Sequence, residues 1–240
     1  MEIDRNQPLG TPTWISLGVA DLPAAQKFYG TVFGWEFTES PDGVDCLLRG
    51  VPVAGLGGGP GWTVHLATPD CDATVDRVLA AGGEIVEEPH EVGDRARRAV
   101  VIDTVGARLG LWQGRSLPGC RLVNEPNTLI RNDLITADAG AARGFYTEVF
   151  DFTLDGNADL PEFDFTFLRR PDGKEIGGIL GQATAASAWG TLFEVPDVDA
   201  TVEKAAGNGG TAGAPEQTPY GRTAVITDPF GTEFSVITRP

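Results

Sequence analysis

The chain has 240 residues, of which 41% are hydrophobic and 22% charged, and its formal net charge is −16. The hydrophobic share is large enough for a packed core, which argues against a disordered chain, and the length allows one large domain or two of ordinary size. The negative charge would repel nucleic acid and anionic membranes, so neither is expected as a partner.

The N-terminal segment MEIDRNQPLG lacks the basic start and apolar stretch of a secretory signal. No run of about 18 apolar residues occurs, so no membrane-spanning helix is predicted and we expect a cytoplasmic protein. The three cysteines, Cys46, Cys71 and Cys120, form no CxxC pair. We expect buried or idle thiols, without a metal or redox role.

The first predicted elements are a strand and a helix. WISLGVAD (14–21) alternates apolar and polar residues, and Asp21 then stands where a carboxylate can cap LPAAQKFYGTVF (22–33). Helical spacing puts one set of residues on a common face: Ala25, Phe28, Tyr29, Val32 and Phe33. Tyr29 is therefore expected in the core, as is Tyr146 in a similar helix of the second half.

The next elements repeat this pattern. WTVHLATPDCDA (62–73) is again an alternating strand that runs into an aspartate, Asp70, and a helix. The preceding GLGGGPG (55–61) leads into a strand and lacks a Lys-Ser/Thr pair, so it does not fit a phosphate-binding loop. We interpret it as a flexible crossing between two structural units.

Segments of the first half recur in the same order in the second half. PDCDATVDRVLAAGG (69–83) and PDVDATVEKAAGNGG (196–210) agree at eight of fifteen positions, and residues 20–35 and 137–152 agree at eight of sixteen. Asp138 and Asp197 head the two later helices. The pattern predicts four βαβββ units in a duplicated domain, with residues 10–115 and 127–238 as domains and 116–126 as linker.

The chain resembles the vicinal oxygen chelate superfamily, which includes glyoxalase I, bleomycin resistance proteins and extradiol dioxygenases. The resemblance rests on the tandem layout, on the strand and FY-containing helix from Trp14 to Trp35, and on D-x-x-G turns at 103–106 and 228–231. It is closest to a two-domain, hydroxylase-like subgroup. It implies an α+β fold of tandem vicinal oxygen chelate domains, in which four βαβββ modules form two half-barrel clefts.

Metal-dependent members of this superfamily carry His or Glu ligands on the first strand of each module and on the last strand of the second. Counted from the aspartates, those positions here hold poor ligands: Trp14, Thr63, Gly110, Arg131, Gly190 and Ser235. A divalent metal needs several deprotonated N, O or S donors, and the chain has two histidines. We therefore expect no metal and no cofactor.

Strand parity predicts the side chains that face the first cleft. Trp14 and Ser16 point away from the apolar face of their strand, and the same parity turns His65 and Trp112 inward. Two indoles and an imidazole suit a flat aromatic or polycyclic ligand. The alternative for His65, Trp14 and Trp112 is a place in the core.

The second cleft is predicted to be more polar. The parity of its strands turns six residues inward: Arg131, Asp133, Leu192, Glu194, Ser235 and Ile237. Arg131 and Asp133 could neutralise each other as a structural ion pair. Glu194, if desolvated, would have a raised pKa and could act as a general acid or base, and alternatively it faces solvent.

These residues support two main hypotheses. One is a metal-independent enzyme for cyclisation, isomerisation or lyase-type proton transfer on a small hydrophobic or aromatic metabolite. Its candidate catalytic residues are His65, Asp133 and Glu194, and its candidate ligand-binding residues are Trp14, Ser16, Trp112, Arg131 and Ser235. The other is a stoichiometric antibiotic- or metabolite-binding protein without catalysis.

A structural role with filled clefts is a third possibility, and a metal-dependent dioxygenase or glyoxalase is disfavoured by the poor ligand set. The preference for Arg over Lys is typical of a GC-rich bacterial genome, and the resemblance implies a place in secondary metabolism. Because the two halves already form a dimer-like pair, we expect a monomer with an internal pseudo-dimer.

Overall fold

The structure is a computed structural model that describes residues 1–156 and 163–240. Within these residues the chain forms four α-helices and two mixed β-sheets, one sheet in each half. The first half contains β1 (Pro12–Gly18), α1 (Leu22–Phe33), β2 (Glu36–Ser40), β3 (Gly43–Leu48), β4 (Val51–Gly57), β5 (Gly61–Ala67), α2 (Cys71–Ala80), β6 (Glu84–Val92), β7 (Ala96–Ile102) and β8 (Arg108–Gly114).

The second half repeats this order with one more short strand among its described residues. It contains β9 (Leu129–Thr136), α3 (Ala139–Phe150), β10 (Thr153–Gly156), β11 (Phe165–Arg169), β12 (Glu175–Gly181), β13 (Ala188–Glu194), α4 (Val198–Ala206), β14 (Thr211–Ala212), β15 (Glu216–Thr218), β16 (Gly221–Thr227) and β17 (Glu233–Thr238).

Each sheet is assembled from two βαβββ modules. The strand order is β2-β3-β4-β1-β5-β8-β7-β6 in the first sheet and β10-β11-β12-β9-β13-β17-β16-β14 in the second, where β15 also pairs with β16. The first strands of the two modules, β1 and β5, meet antiparallel at the centre of the sheet, and each pairs in parallel with the last strand of its own module. The predicted α+β fold of tandem half-barrels is confirmed.

An aspartate caps each of the four described helices. The side chains of Asp21, Asp70, Asp138 and Asp197 accept hydrogen bonds from the backbone N–H three residues later, at 3.0–3.1 Å. Such a carboxylate satisfies a backbone donor that the helix itself leaves unpaired and lies favourably at the positive end of the helix dipole. The recurring aspartate of the sequence is therefore a structural element.

The helices α1 and α3 each reach across to the other half. Tyr29 of α1 donates its hydroxyl to Asp228 at 2.8 Å, and Tyr146 of α3 donates to Asp103 at 2.8 Å. All four side chains are buried. These two hydrogen bonds are related by an approximate twofold symmetry, and they link the FY motif of one half to the D-x-x-G turn of the other.

The D-x-x-G turns have a second role in their own half. The other carboxylate oxygen of Asp103 accepts the backbone N–H groups of Val105 and Ala107, so the aspartate also closes its turn. Gly106 has φ of 87°, a left-handed conformation that glycine adopts without a steric penalty. The aspartate and the glycine of this short motif thus follow from turn geometry and from the contact between the halves.

The segment between the halves packs on the first sheet. Leu117, Cys120 and Leu122 are buried, and the backbone N–H of Cys120 donates to the carbonyl of Thr13 at 2.7 Å. The thiols of Cys46 and Cys71 are buried as well.

Among the described residues, no helix is both long enough and apolar enough to cross a bilayer.

Candidate functional site

The first candidate site is the concave face of the first sheet. Trp14 pairs with His65 across β1 and β5, and His65 in turn lies beside Gly110 of β8. Ser16 pairs with Thr63 in the same register. Cross-strand partners share a face of a sheet, so these side chains point to one side, as strand parity predicts. A cleft of about 210 Å³ opens next to Trp14, Ser16 and Trp112.

Two stacked indoles form the floor of this cleft. The rings of Trp14 and Trp112 lie 5.6 Å apart with an angle of 26° between their planes, and both side chains are buried. The indole N–H of Trp112 donates to the carbonyl of Leu117 at 3.0 Å, which fixes the ring. The floor is therefore fixed and apolar. Its two side chains are part of the hydrophobic core, and they also line the cleft.

Ser16 and His65 form a hydrogen-bonded pair beside this floor. The Ser16 hydroxyl oxygen lies 2.8 Å from Nε2 of His65. The imidazole is 1% exposed, and its Nδ1 has no hydrogen-bond partner among the described residues. Burial holds the pKa of His65 well below its usual value, and the nearby Arg98 and Arg108 lower it further. His65 is therefore neutral, and Ser16 is the member of the pair that lines the cleft.

The pair lacks the third member of a nucleophilic triad. In a Ser-His-Asp arrangement a carboxylate accepts the Nδ1 proton and stabilises the imidazolium that forms. Here no described side chain accepts at Nδ1, and the two arginines disfavour a positive charge. The geometry supports hydrogen bonding by Ser16 to a ligand better than it supports formation of a covalent acyl intermediate.

Charged side chains line the mouth of the first cleft. Asp45 pairs with Arg95 at 2.6 Å, and Arg98 bridges Asp42 at 2.7 Å and Glu87 at 2.7 Å. These residues lie on β3, β6, β7 and the adjoining turns. Sequence reasoning missed them because it followed parity only on the first and last strands of the modules. The segment DRARR (94–98), which covers the turn before β7 and the start of that strand, has arginines at 95, 97 and 98. This cluster is the signal that could have found them.

The second candidate site is the concave face of the second sheet, where Arg131 and Asp133 form an ion pair at 2.7 Å. Arg131 also pairs with Glu175 at 2.7 Å and lies 5.8 Å from the ring centre of Phe165. Burial raises the pKa of Asp133, and the hydrogen bond from Arg131 opposes that rise. Ser235 is half-buried beside Leu192 on the same face.

Glu194 does not join this cluster. It forms an ion pair with Arg239 next to the C-terminus, and the register of β13 against β9 shifts between Leu192 and Phe193. Gly190, which pairs with Asp133, lies four residues before Glu194, a separation of about 13 Å along a strand. His65 lies in the other half. The three candidate catalytic residues therefore occupy three separate places.

The superfamily positions for metal ligands hold no donor set that fits a divalent ion. In the first sheet His65 is flanked by Trp14 and Gly110, and in the second sheet Arg131 puts a cation at a ligand position. Within residues 1–156 and 163–240, no three His, Cys, Asp or Glu side chains come together as a metal site. Neither concave face matches the ligand chemistry of Zn²⁺, Mn²⁺ or Fe²⁺.

Comparisons with known proteins place the chain among its relatives. Residues 11–48 match the bleomycin resistance protein-like N-terminal family, and residues 128–236 match the glyoxalase/bleomycin resistance protein/dioxygenase superfamily. The chain is 36% identical to "Putative glyoxylase CFP32" of Mycobacterium tuberculosis, over 95% of this chain and 94% of that protein. It is 33% identical to anthracycline biosynthesis protein DnrV of Streptomyces peucetius, over 95% of this chain and 93% of that protein.

A solved structure shares the fold. The Mn(II)-bound glyoxalase from Novosphingobium aromaticivorans superposes with a TM-score of 0.68 at 18% identity, over 96% of this chain and 82% of that one. At this identity the likeness concerns the arrangement of strands and helices alone.

Proposed function

Since the chain belongs to the vicinal oxygen chelate superfamily of glyoxalases, bleomycin resistance proteins and dioxygenases, we propose that it binds a small aromatic metabolite in its first cleft, without a resident metal. The observation that carries this proposal is the rigid floor of Trp14 and Trp112 next to the Ser16 hydroxyl. Flat indole surfaces favour a planar ligand, and the Ser16 hydroxyl, fixed by a neutral imidazole, gives that ligand a polar anchor.

A role in secondary metabolism is part of the proposal. Two relatives support it, DnrV of Streptomyces peucetius and DauV of a Streptomyces strain, which are named as anthracycline biosynthesis proteins. The cleft volume of about 210 Å³ is below the range of about 300–1,000 Å³ for drug-sized ligands, so the bound portion is one or two rings in size.

Ligand binding is tested with a panel of aromatic compounds of one to four rings, by tryptophan fluorescence and by thermal unfolding. We expect quenching and a raised Tm for small planar members, because a ligand of the native state stabilises it by mass action. Ser16→Ala should weaken binding by about five- to tenfold, the value of one hydrogen bond. Ser187→Ala is the matched control, because Ser187 bonds Thr136 in the second half. If no compound changes either signal, the proposal is wrong.

Proton transfer on the bound metabolite is the second candidate function, and the 2.8 Å contact between Ser16 and His65 favours it. In such a reaction, an isomerisation or a lyase-type elimination, the pair would relay a proton to or from the ligand. Asp133, whose carboxyl has a pKa raised by burial, lies on the second sheet and would serve only a ligand bound in that half.

Catalysis and binding are distinguished by recovering the ligand and comparing its mass and chromatographic retention with the input. An unchanged compound in a stoichiometric amount supports a binding protein. A product in excess over the protein supports an enzyme, and His65→Gln, Asp133→Asn and Glu194→Gln then show which group is needed. We expect turnover, if present, to be lost in the His65 variant and kept in the Glu194 variant.

Metal independence is tested by dialysis against EDTA followed by addition of Mn²⁺, Fe²⁺ or Zn²⁺. We expect the probe affinity and the Tm to stay the same throughout, because neither concave face offers a fitting donor set. A Tm that falls on chelation and recovers with one of these ions would contradict this part of the proposal.

A further inference from the structure

We propose that the ligand of the first cleft is an aromatic carboxylate, and that its acid group replaces the carboxylate of Asp42 on Arg98. This inference rests on the proposed binding function and names the class of its ligand. Asp42 then acts as an internal stand-in for the acid group and occupies Arg98 until the ligand binds.

The Asp42–Arg98 ion pair links two distant edges of the first sheet beside the cleft. Asp42 lies in the turn between β2 and β3, at one edge of the first sheet, while Arg98 lies on β7, next to the opposite edge. A curved sheet brings these edges together over its concave face, and both residues line the cleft. The 2.7 Å contact therefore joins the two edges of the sheet beside the cleft, and breaking it would free the β2–β3 turn from Arg98.

The wall of the cleft has more hydrogen-bond donors than the neighbouring carboxylates use. A guanidinium carries five N–H donors and accepts none. Arg98 lines the cleft and donates through Nη1 to Asp42 and through Nη2 to Glu87, while its Nε is buried without a partner among the described residues. Arg95 also lines the cleft and donates to Asp45 through one terminal nitrogen. A donor-rich wall selects a ligand rich in acceptors, and a carboxylate offers two oxygens to the planar fork of an arginine.

Charge balance requires that one carboxylate of the protein leaves the cleft wall when the ligand's carboxylate binds. Arg95 and Arg98 line the cleft with three carboxylates, those of Asp42, Asp45 and Glu87. Arg108, which is not a lining residue, pairs with Glu87, so three arginines balance these three carboxylates. A further anion in this partly desolvated place is unfavourable unless one carboxylate moves into water.

Asp42 is the carboxylate most able to move. Its side chain is 33% exposed, lies in a turn and, among the described residues, pairs with Arg98 alone. Asp45 is 9% exposed within a strand, and Glu87 is held by both Arg98 and Arg108. Exchange of Asp42 for the ligand's carboxylate keeps the number of charges in the wall constant. The ring of the ligand then lies towards the indole floor and Ser16.

The test compares 2-naphthoate with 2-naphthamide, which has the same rings and no charge, by isothermal titration calorimetry. We expect wild-type protein to bind the naphthoate at least tenfold more tightly, since the charged hydrogen bonds are the stronger ones. Asp42→Asn should tighten naphthoate binding by about three- to tenfold, because the competing carboxylate is gone, and should leave naphthamide binding unchanged. Arg98→Gln should weaken naphthoate binding by tenfold or more.

Two control variants separate the local effect from net charge. Asp199 and Arg222 form an exposed ion pair in the second half, away from the first cleft. Asp199→Asn changes the net charge as Asp42→Asn does, and Arg222→Gln changes it as Arg98→Gln does. We expect neither to change naphthoate affinity. If Arg98→Gln lowers the Tm, Arg98→Lys keeps the charge without the planar fork, and an intermediate affinity is expected.

The proposal is overturned if naphthamide binds as tightly as naphthoate, or if Asp42→Asn fails to tighten naphthoate binding more than Asp199→Asn does. If naphthamide and other neutral rings bind and naphthoate does not, the acid exchange is wrong and the proposed binding function stands. If no ring compound, charged or neutral, binds wild type or Asp42→Asn, the proposed function itself is wrong.

Discussion

At the scale of single residues, the first cleft depends on how His65 is buried. Its imidazole lies between strands, bonded to Ser16 on one side and pressed against Gly110 on the other. Burial and two arginines keep it neutral, so it orients the Ser16 hydroxyl without adding a charge to the cleft. In the proposed site, the polar groups that line the cleft beside His65 include the Ser16 hydroxyl and the guanidinium groups of Arg95 and Arg98.

The lowered pKa of His65 predicts a dependence of stability on pH. In the unfolded chain His65 takes up a proton near its usual pKa of about 6.5, while in the folded protein it stays neutral to a lower pH. The free energy of unfolding should therefore fall as the pH drops below about 6.5. Urea unfolding between pH 7.5 and 5 should show a smaller fall for His65→Gln, because that variant lacks the titrating group. Equal pH profiles would contradict a buried neutral histidine.

Gly110 is predicted to be essential to the position of His65. A Cβ at this residue would lie 1.9 Å from Nδ1 of His65, so Gly110→Ala should displace the ring and break its bond to Ser16. We expect a loss of about 1–3 kcal/mol in the free energy of unfolding and a loss of probe binding. Gly144→Ala is the control, because a Cβ there meets nothing within 4 Å on a helix, and it should be neutral or stabilising. Wild-type behaviour of Gly110→Ala would contradict the packing described.

At the scale of elements, each half contributes a helix and a turn to the contact between the halves. Tyr29 and Tyr146 lie on corresponding helices, and each hydroxyl reaches the aspartate of the other half's turn. The Tyr146 hydroxyl also accepts the indole N–H of Trp189 at 2.8 Å. Burial raises the pKa of both tyrosines well above the usual value, so both hydroxyls remain protonated donors.

Removing either hydroxyl should destabilise the protein. Tyr29→Phe and Tyr146→Phe each leave one oxygen of a buried carboxylate without a donor, and we expect each to cost about 1.5–3 kcal/mol in urea unfolding. The cost should be the larger for Tyr146→Phe, because the indole N–H of Trp189 then also loses its acceptor. Tyr220→Phe, at a side chain that is 70% exposed, is the control and should change the free energy of unfolding by less than about 0.5 kcal/mol. A tyrosine variant as stable as this control would contradict a structural role for its hydroxyl.

At the scale of the whole molecule, the two halves form one aromatic core between their sheets. Phe33 of α1 lies 4.8 Å from Phe193 of β13, and Tyr29 lies 5.8 Å from Phe234 of β17. A single-domain relative of this fold would need a second subunit to cover such a face, whereas this chain covers it internally. The arrangement supports the proposal of a monomer.

Separate expression of the halves tests this arrangement. Residues 1–126 and 127–240, each alone, should aggregate or self-associate, because the aromatic face and the buried aspartates lose their partners. Mixed together they should form a one-to-one complex, while the intact chain should sediment as a monomer. If the two halves are soluble monomers and do not associate when mixed, the shared core is contradicted.

The sequence by itself determined the fold, because the signals involved are local and repeated. Alternation of polar and apolar residues specifies strands, an aspartate at a fixed place caps each helix, and duplication relates the halves without any knowledge of long-range contacts. The same alternation put Ser16, His65 and Trp112 on one face, since neighbouring strands keep their parity where no irregularity intervenes.

Only the tertiary structure decided which of these residues meet. Glu194 is separated from Asp133 by strand length and by the register shift on β13, and it pairs with Arg239 beyond the last strand. Asp42 and Arg98 are 56 positions apart, and they meet because the sheet curves until its edges face each other. Curvature is a collective property of many strand pairs, so the contact between the sheet edges, the volume of the cleft and its charged wall follow from the assembled sheet.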